Sequence, residues 1–198
     1  IMVGPPNHGS ALAAYSADDL SQYIASLGGQ YVDLGVLNAA ASGFIGDAKE
    51  SLVPGSTYLN KLNTYPRAAN VEYTIIAGND GPIQREAIEL PLALTELILG
   101  TNGETKRALA PVEKFVSTDD WMKGSGDGAV SIKSARLSGV DDFVVLPFCH
   151  TEFGGADSAS TTPPNRIANQ SSKAVKKRQT AKLLMDVITS RLRIATDL

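Results

Sequence analysis

The chain has one cysteine, Cys149, so no disulfide can form within it and its redox compartment is left open. It has little charge excess. The formal net charge of -3 argues against the basic surface that a nucleic-acid-binding domain presents. No apolar run approaches the roughly 18 residues of a membrane span. No internal repeat is visible, and no serine has glycine on both sides in the Gly-x-Ser-x-Gly spacing of a nucleophile turn. Ser158 has small neighbours, Ala156 and Ser160, but it stands in a polar loop after the histidine discussed below. What remains is an ordinary composition, 43% hydrophobic and 20% charged over 198 residues. That suits one domain with its own core, or most of a larger one.

Ile1-Met2-Val3 is apolar and runs into Gly4-Pro5-Pro6, which reads as the end of a buried strand. The expectation is that 1–198 is the C-terminal part of one domain, with a further segment or chain completing the sheet. Asn7-His8-Gly9-Ser10 is a turn in which Ser10 can cap a short helix. From Ala11 to Asn63 the pattern is a run of short helices: Asp18 to Leu27, Val32 to Ala41, Ala48 to Val53, and Tyr58 to Leu62 after the break at Pro54-Gly55-Ser56. That run, 11–63, reads as an inserted helical cap. Val71 to Gly78 is the clearest strand, nearly continuous in β-branched residues and closed by glycine, as in a buried parallel sheet. An excursion over 82–124 follows, with a helix expected from Ala87 to Leu99. Ser131 to Leu137 predicts a short helix and Asp142 to Phe148 a second clear strand, with Pro147 near its end. A polar loop from Gly154 to Asn169 leads to a closing helix over Ser171 to Arg193. Its buried stripe is expected at Leu184, Val187, Ile188 and Leu192, with Lys176, Lys177 and Arg178 solvated.

Strands alternating with helices predict an α/β fold, a parallel sheet covered on both faces, with its site beyond the carboxyl ends of the strands. Asn7-His8, Asn79-Asp80, Asp127 and His150 all fall at or just after such ends. Asp127 lies between Gly126 and Gly128, where the backbone can turn tightly. Taken alone, Asp127 reads as a turn aspartate bonding its own backbone, and His150 as a structural histidine. Taken together they suit a general base whose second ring nitrogen is held by a carboxylate. Asp80 is a rival for the acid. Cys149 beside His150 suggests a thiol nucleophile, but neighbours in extended chain point to opposite faces, which favours a packed thiol. Asp119, Asp120 and Asp127 lack the order of a calcium loop, so no metal or other cofactor is expected.

Gly126 to Leu137 and Val144 to Glu152 resemble the acid and histidine blocks of bacterial lipase-like α/β-hydrolases. Val3 to Ser10 is similar to that family's Gly-Thr-Pro-x-His-Gly-Ser turn, with Pro5 where threonine is usual. Leu52 to Ser56, with Leu59 and Leu62-Asn63, resembles its cap segment. The resemblance implies an α/β-hydrolase fold with an inserted helical cap. It implies a serine carboxylic-ester hydrolase in which Asp127 orients His150 and an upstream serine is acylated. The substrate would be a small-molecule ester or lipid. His8 is a separate candidate, either a turn histidine that orders Asn7 to Ser10 or a pocket-rim residue that touches substrate. Two alternatives stand beside this reading: a non-catalytic binding protein of the same fold, and an acyltransferase using the same residues.

Overall fold

The computed structural model describes residues 1–15, 49–85, 103, 118–150 and 167–196. Among these, three parallel strands form one sheet in the order β1 (Met2–Val3), β2 (Thr74–Gly78), β3 (Asp142–Leu146). Met2 is in register with Ile75, and Thr74 to Gly78 pair with Asp142 to Leu146. Four α-helices accompany them: α1 (Lys49–Leu52), α2 (Thr57–Thr64), α3 (Ile132–Ala135) and α4 (Ile167–Thr196). Short 3-10 turns occupy Ala11–Ala14 and Asp119–Trp121. The arrangement is α/β.

β2 is the centre of the sheet because all five of its residues are buried. Its alternation feeds two cores, as side chains along a strand must. Ile75 and Ala77 pack with Ala129, Val130 and Ala135, so α3 and the loop before it cover one face. Ile76 packs with Leu146 and Phe148, and Leu184, Val187 and Ile188 of α4 cover the other. Ile75 and Ile76 are fully buried, and each contributes about 1.5–3 kcal/mol of apolar burial. The far end of α4 is tied to the sheet by Arg191, which donates from Nε (2.6 Å) and Nη2 (2.8 Å) to the two carboxylate oxygens of Asp142. Thr74 donates to the same carboxylate at 2.7 Å.

Serines start the short helices. Ser10, Ser56 and Ser131 each accept a backbone N–H of the turn that follows, at 3.2 Å. Gly55, at φ +78°, makes the left-handed turn that breaks α1 from α2.

β1 stands at an edge of the described sheet, with Ile1 47% and Val3 42% exposed, the edge that the expected further segment or chain would complete. Other sequence expectations are corrected. β2 begins at Thr74, three residues later than Val71, where pairing with Asp142 starts. β3 ends at Leu146, before Pro147, which has no N–H to give to a ladder. α4 begins at Ile167, inside the stretch read as loop. Leu192 is 57% exposed and leaves the expected stripe, whose other members Leu184, Val187 and Ile188 pack on the core beside Ile76 and Phe148. The expected helices at 18–27, 32–41 and 87–99 lie outside the described residues, as do most of the expected cap and of the 82–124 excursion. No described helix is long and apolar enough to cross a membrane.

Candidate active site

The carboxyl end of β2 closes with Gly78, and a Cβ there would stand 2.6 Å from Cβ of Asp127 and 2.6 Å from the carbonyl oxygen of Phe148. Glycine is required at this position because two loops meet on it. One carries Asp127, and the other is the short run from β3 to His150. Gly4, at the end of β1, makes the third side. Its φ is +56°, and a Cβ there would lie 3.0 Å from Nδ1 of His150 and 3.1 Å from Oδ2 of Asp127. Three strand ends thus converge on one acid and one histidine.

Asp127 is 1% exposed. Its Oδ1 accepts the N–H groups of Ala129 (3.0 Å) and Val130 (2.8 Å), so this oxygen holds the loop's own turn. Its Oδ2 is left for His150, whose Nδ1 lies 3.0 Å away. The backbone repeats the contact: the His150 N–H donates to the Asp127 carbonyl at 2.6 Å. The turn and pairing readings of this aspartate therefore both hold, one on each oxygen. Asp127 arrives from the loop between the Asp119–Trp121 turn and α3, not from the end of a strand. The Gly81 N–H bonds the Gly126 carbonyl at 2.8 Å and ties the chain just after β2 to the acid loop.

The hydrogen bond from Asp127 raises the pKa of His150 above its usual 6.5, against the lowering effect of burial, and the aspartate's charge adds to the rise. Nδ1 carries its proton toward Asp127, so the neutral ring offers its lone pair at Nε2. No described side chain is hydrogen-bonded to Nε2, and the ring side chain is 44% exposed.

The other candidates separate from this pair. Asp80 does not reach His150: it pairs with Lys176 and, at 3.5 Å, with Lys123. Its backbone N–H bonds the Phe148 carbonyl at 3.2 Å, so it is a fastener between loops. Cys149 is 6% exposed, and its sulfur packs against Gly128, 3.3 Å from where a Cβ would stand. His8 is exposed, and its backbone N–H donates to the Ser134 carbonyl at 2.9 Å. Its turn is held by Asn7, which donates to the Ala135 carbonyl at 2.7 Å, and by Asn63, which donates to the Asn7 carbonyl at 2.8 Å. Among the described residues no three of His, Cys, Asp and Glu come together to hold a metal ion.

Sequence reasoning missed Gly4 and Gly78 as the residues that make room for the pair. The signal was available, since each closes an apolar β-forming run. It also passed over Ser10 and Asp120 as a buried bonded pair, whose 110-residue separation leaves no local mark. No protein-family model matches the chain, and no curated protein or solved structure is significantly similar to it.

Proposed function

We propose that the protein is a serine carboxylic-ester hydrolase of lipase-like α/β-hydrolase type, with His150 as general base and Asp127 as the acid that orients it. The observation that supports this is the 3.0 Å contact between Asp127 Oδ2 and His150 Nδ1 at the carboxyl end of a parallel sheet. A serine turn and its oxyanion donors would come from a segment outside these 198 residues.

This reading gives each residue a role. Asp127 fixes the tautomer with the proton on Nδ1, leaving Nε2 free to take the serine proton as the hydroxyl attacks the ester carbonyl. The imidazolium that forms is stabilised by the adjacent carboxylate, which stays ionised. His150 then gives its proton to the departing alcohol, leaving an acyl-serine. Water enters, loses a proton to Nε2 and releases the acid, and the serine recovers its proton. The half-exposed ring suits a base that must meet both a substrate and a water molecule.

The test is hydrolysis of p-nitrophenyl butyrate by the protein expressed from its complete gene, beside its His150→Ala variant. Turnover that disappears in the variant is expected, together with labelling of a serine by a fluorophosphonate. A protein that neither hydrolyses the ester nor takes the label would leave the non-catalytic reading in its place.

A further inference from the structure

We infer that Asp120 is the positioning residue for the Asp127–His150 pair, bracing the stretch that follows the acid; as a role in catalysis this rests on the hydrolase reading above. Asp120 is 2% exposed and touches neither His150 nor the Asp127 carboxylate in any hydrogen bond. It acts through the residues that follow Asp127. Its own carbonyl accepts the Gly128 N–H at 2.8 Å, one residue after the acid. Its carboxylate reaches the next residue through a serine: the Ser10 hydroxyl lies 3.1 Å from Asp120 Oδ2 and 2.6 Å from the Ala129 carbonyl. The Ala129 N–H is in turn one of the two donors to Asp127 Oδ1. Residues 128 and 129 are thus held by Asp120, the first by its carbonyl and the second through one serine.

The same carboxylate fastens the turn after β1. It accepts the Ala11 N–H at 2.7 Å, and Ser10 is wholly buried against it. That turn follows Gly4, the residue that lies against the edge of the His150 ring. One buried carboxylate therefore sets the acid loop and the β1 turn relative to one another, and the histidine sits between them. A buried charge is costly to build unless its donors, here the Ser10 hydroxyl and the Ala11 N–H, are held in place around it. A purely packing role is better filled by an apolar residue of similar size.

These 198 residues hold two histidines, His8 and His150; NMR titration of the imidazole Cε1–H signals, with the His150 signal assigned by its loss in His150→Ala, reads the pair directly. In the full-length protein, Asp120→Ala should move the His150 midpoint down toward 6.5 while the fold persists. Asp127→Asn sets the full extent of that fall. Asp120→Asn keeps an oxygen for the Ala11 N–H and should hold the midpoint near the wild-type value. On the ester substrate, Asp120→Ala should lose kcat on the order of a hundred-fold with little change in KM, as expected for misplaced groups. A folded Asp120→Ala protein whose His150 midpoint has not moved overturns the inference. If that variant does not fold, Ser10→Ala decides in the same way: a fall supports the inference and an unmoved midpoint overturns it. The titration is independent of turnover, so an inactive wild-type protein counts against the hydrolase reading and not against this one.

Discussion

Gly4 and His150 come from opposite ends of the chain, yet a single methyl on residue 4 would stand 3.0 Å from the histidine Nδ1. The same methyl would press on the aspartate oxygen bonded to that nitrogen, 3.1 Å away. β1 therefore contributes space rather than a side chain. Its last residue takes φ +56°, and its N–H bonds the Ile76 carbonyl at 2.8 Å, so the backbone cannot easily retreat.

Gly4→Ala should consequently damage the pair more than the fold. The left-handed backbone costs an L-residue about 1–2 kcal/mol. The added carbon must also displace the His150 ring, because Asp127 is buried and fixed by two backbone donors. We expect a modest fall in Tm with a disproportionate loss of ester hydrolysis. Equal, small losses in both would show that the ring is free to move aside.

The pH dependence of the pair has a definite sign. Asp127 raises the pKa of His150 above 6.5, and the general base must be neutral. The acid limb of kcat/KM should therefore have its midpoint above 6.5. Stability runs the other way. The charged pair contributes fully below the unfolded-state pKa of His150, and that contribution is lost as pH rises through the higher folded value. Asp127→Asn should shift the acid limb of residual activity downward and flatten the fall in Tm across the same window. A wild-type midpoint at or below 6.5 in both measurements contradicts the assignment.

A second titrating pair lies at the other end of the sheet. Arg191 binds Asp142 through two donors and lowers the aspartate pKa, with Thr74 assisting. A depressed carboxylate contributes stability above its unfolded pKa of about 3.9, and the contribution disappears as pH falls through the folded value. Both side chains are about one third exposed, so water screens the pair and its contribution is small. Arg191→Met should lower the unfolding free energy slightly at pH 7 and by almost nothing at pH 2. Urea unfolding at the two pH values checks it.

How much of this was legible before the structure depends on range. β2 and β3 were readable because β-branched runs bounded by glycine, or by proline, leave few alternatives. α3 was marked by Ser131 as its cap, and α2 by Gly55-Ser56. Asp127 and His150 were named from their turns, but not the division of labour between the two aspartate oxygens. That division depends on the tertiary approach of His150, which no local pattern encodes. The start of α4 was misjudged because Pro163, Pro164 and the polar residues around them argue for loop, while α4 gains its stability from Leu184, Val187 and Ile188 farther along.

The sharpest separation of mechanisms comes from three substitutions compared on one ester. His150→Ala removes the base and should abolish nearly all turnover. Asp127→Asn leaves the shape intact but presents an amide to Nδ1, which favours the wrong tautomer. A loss of about ten-thousand-fold follows from that change in a serine triad. Cys149→Ser places a hydroxyl where a thiol packs against Gly128. The substitution exchanges a thiol for a smaller hydroxyl away from the reacting groups, so kcat should stay near wild type. The pattern distinguishes a histidine that serves a serine from one that serves its neighbouring thiol. In the second case Cys149→Ser would be as damaging as His150→Ala, and measuring kcat alongside Tm for all three variants separates lost chemistry from lost fold.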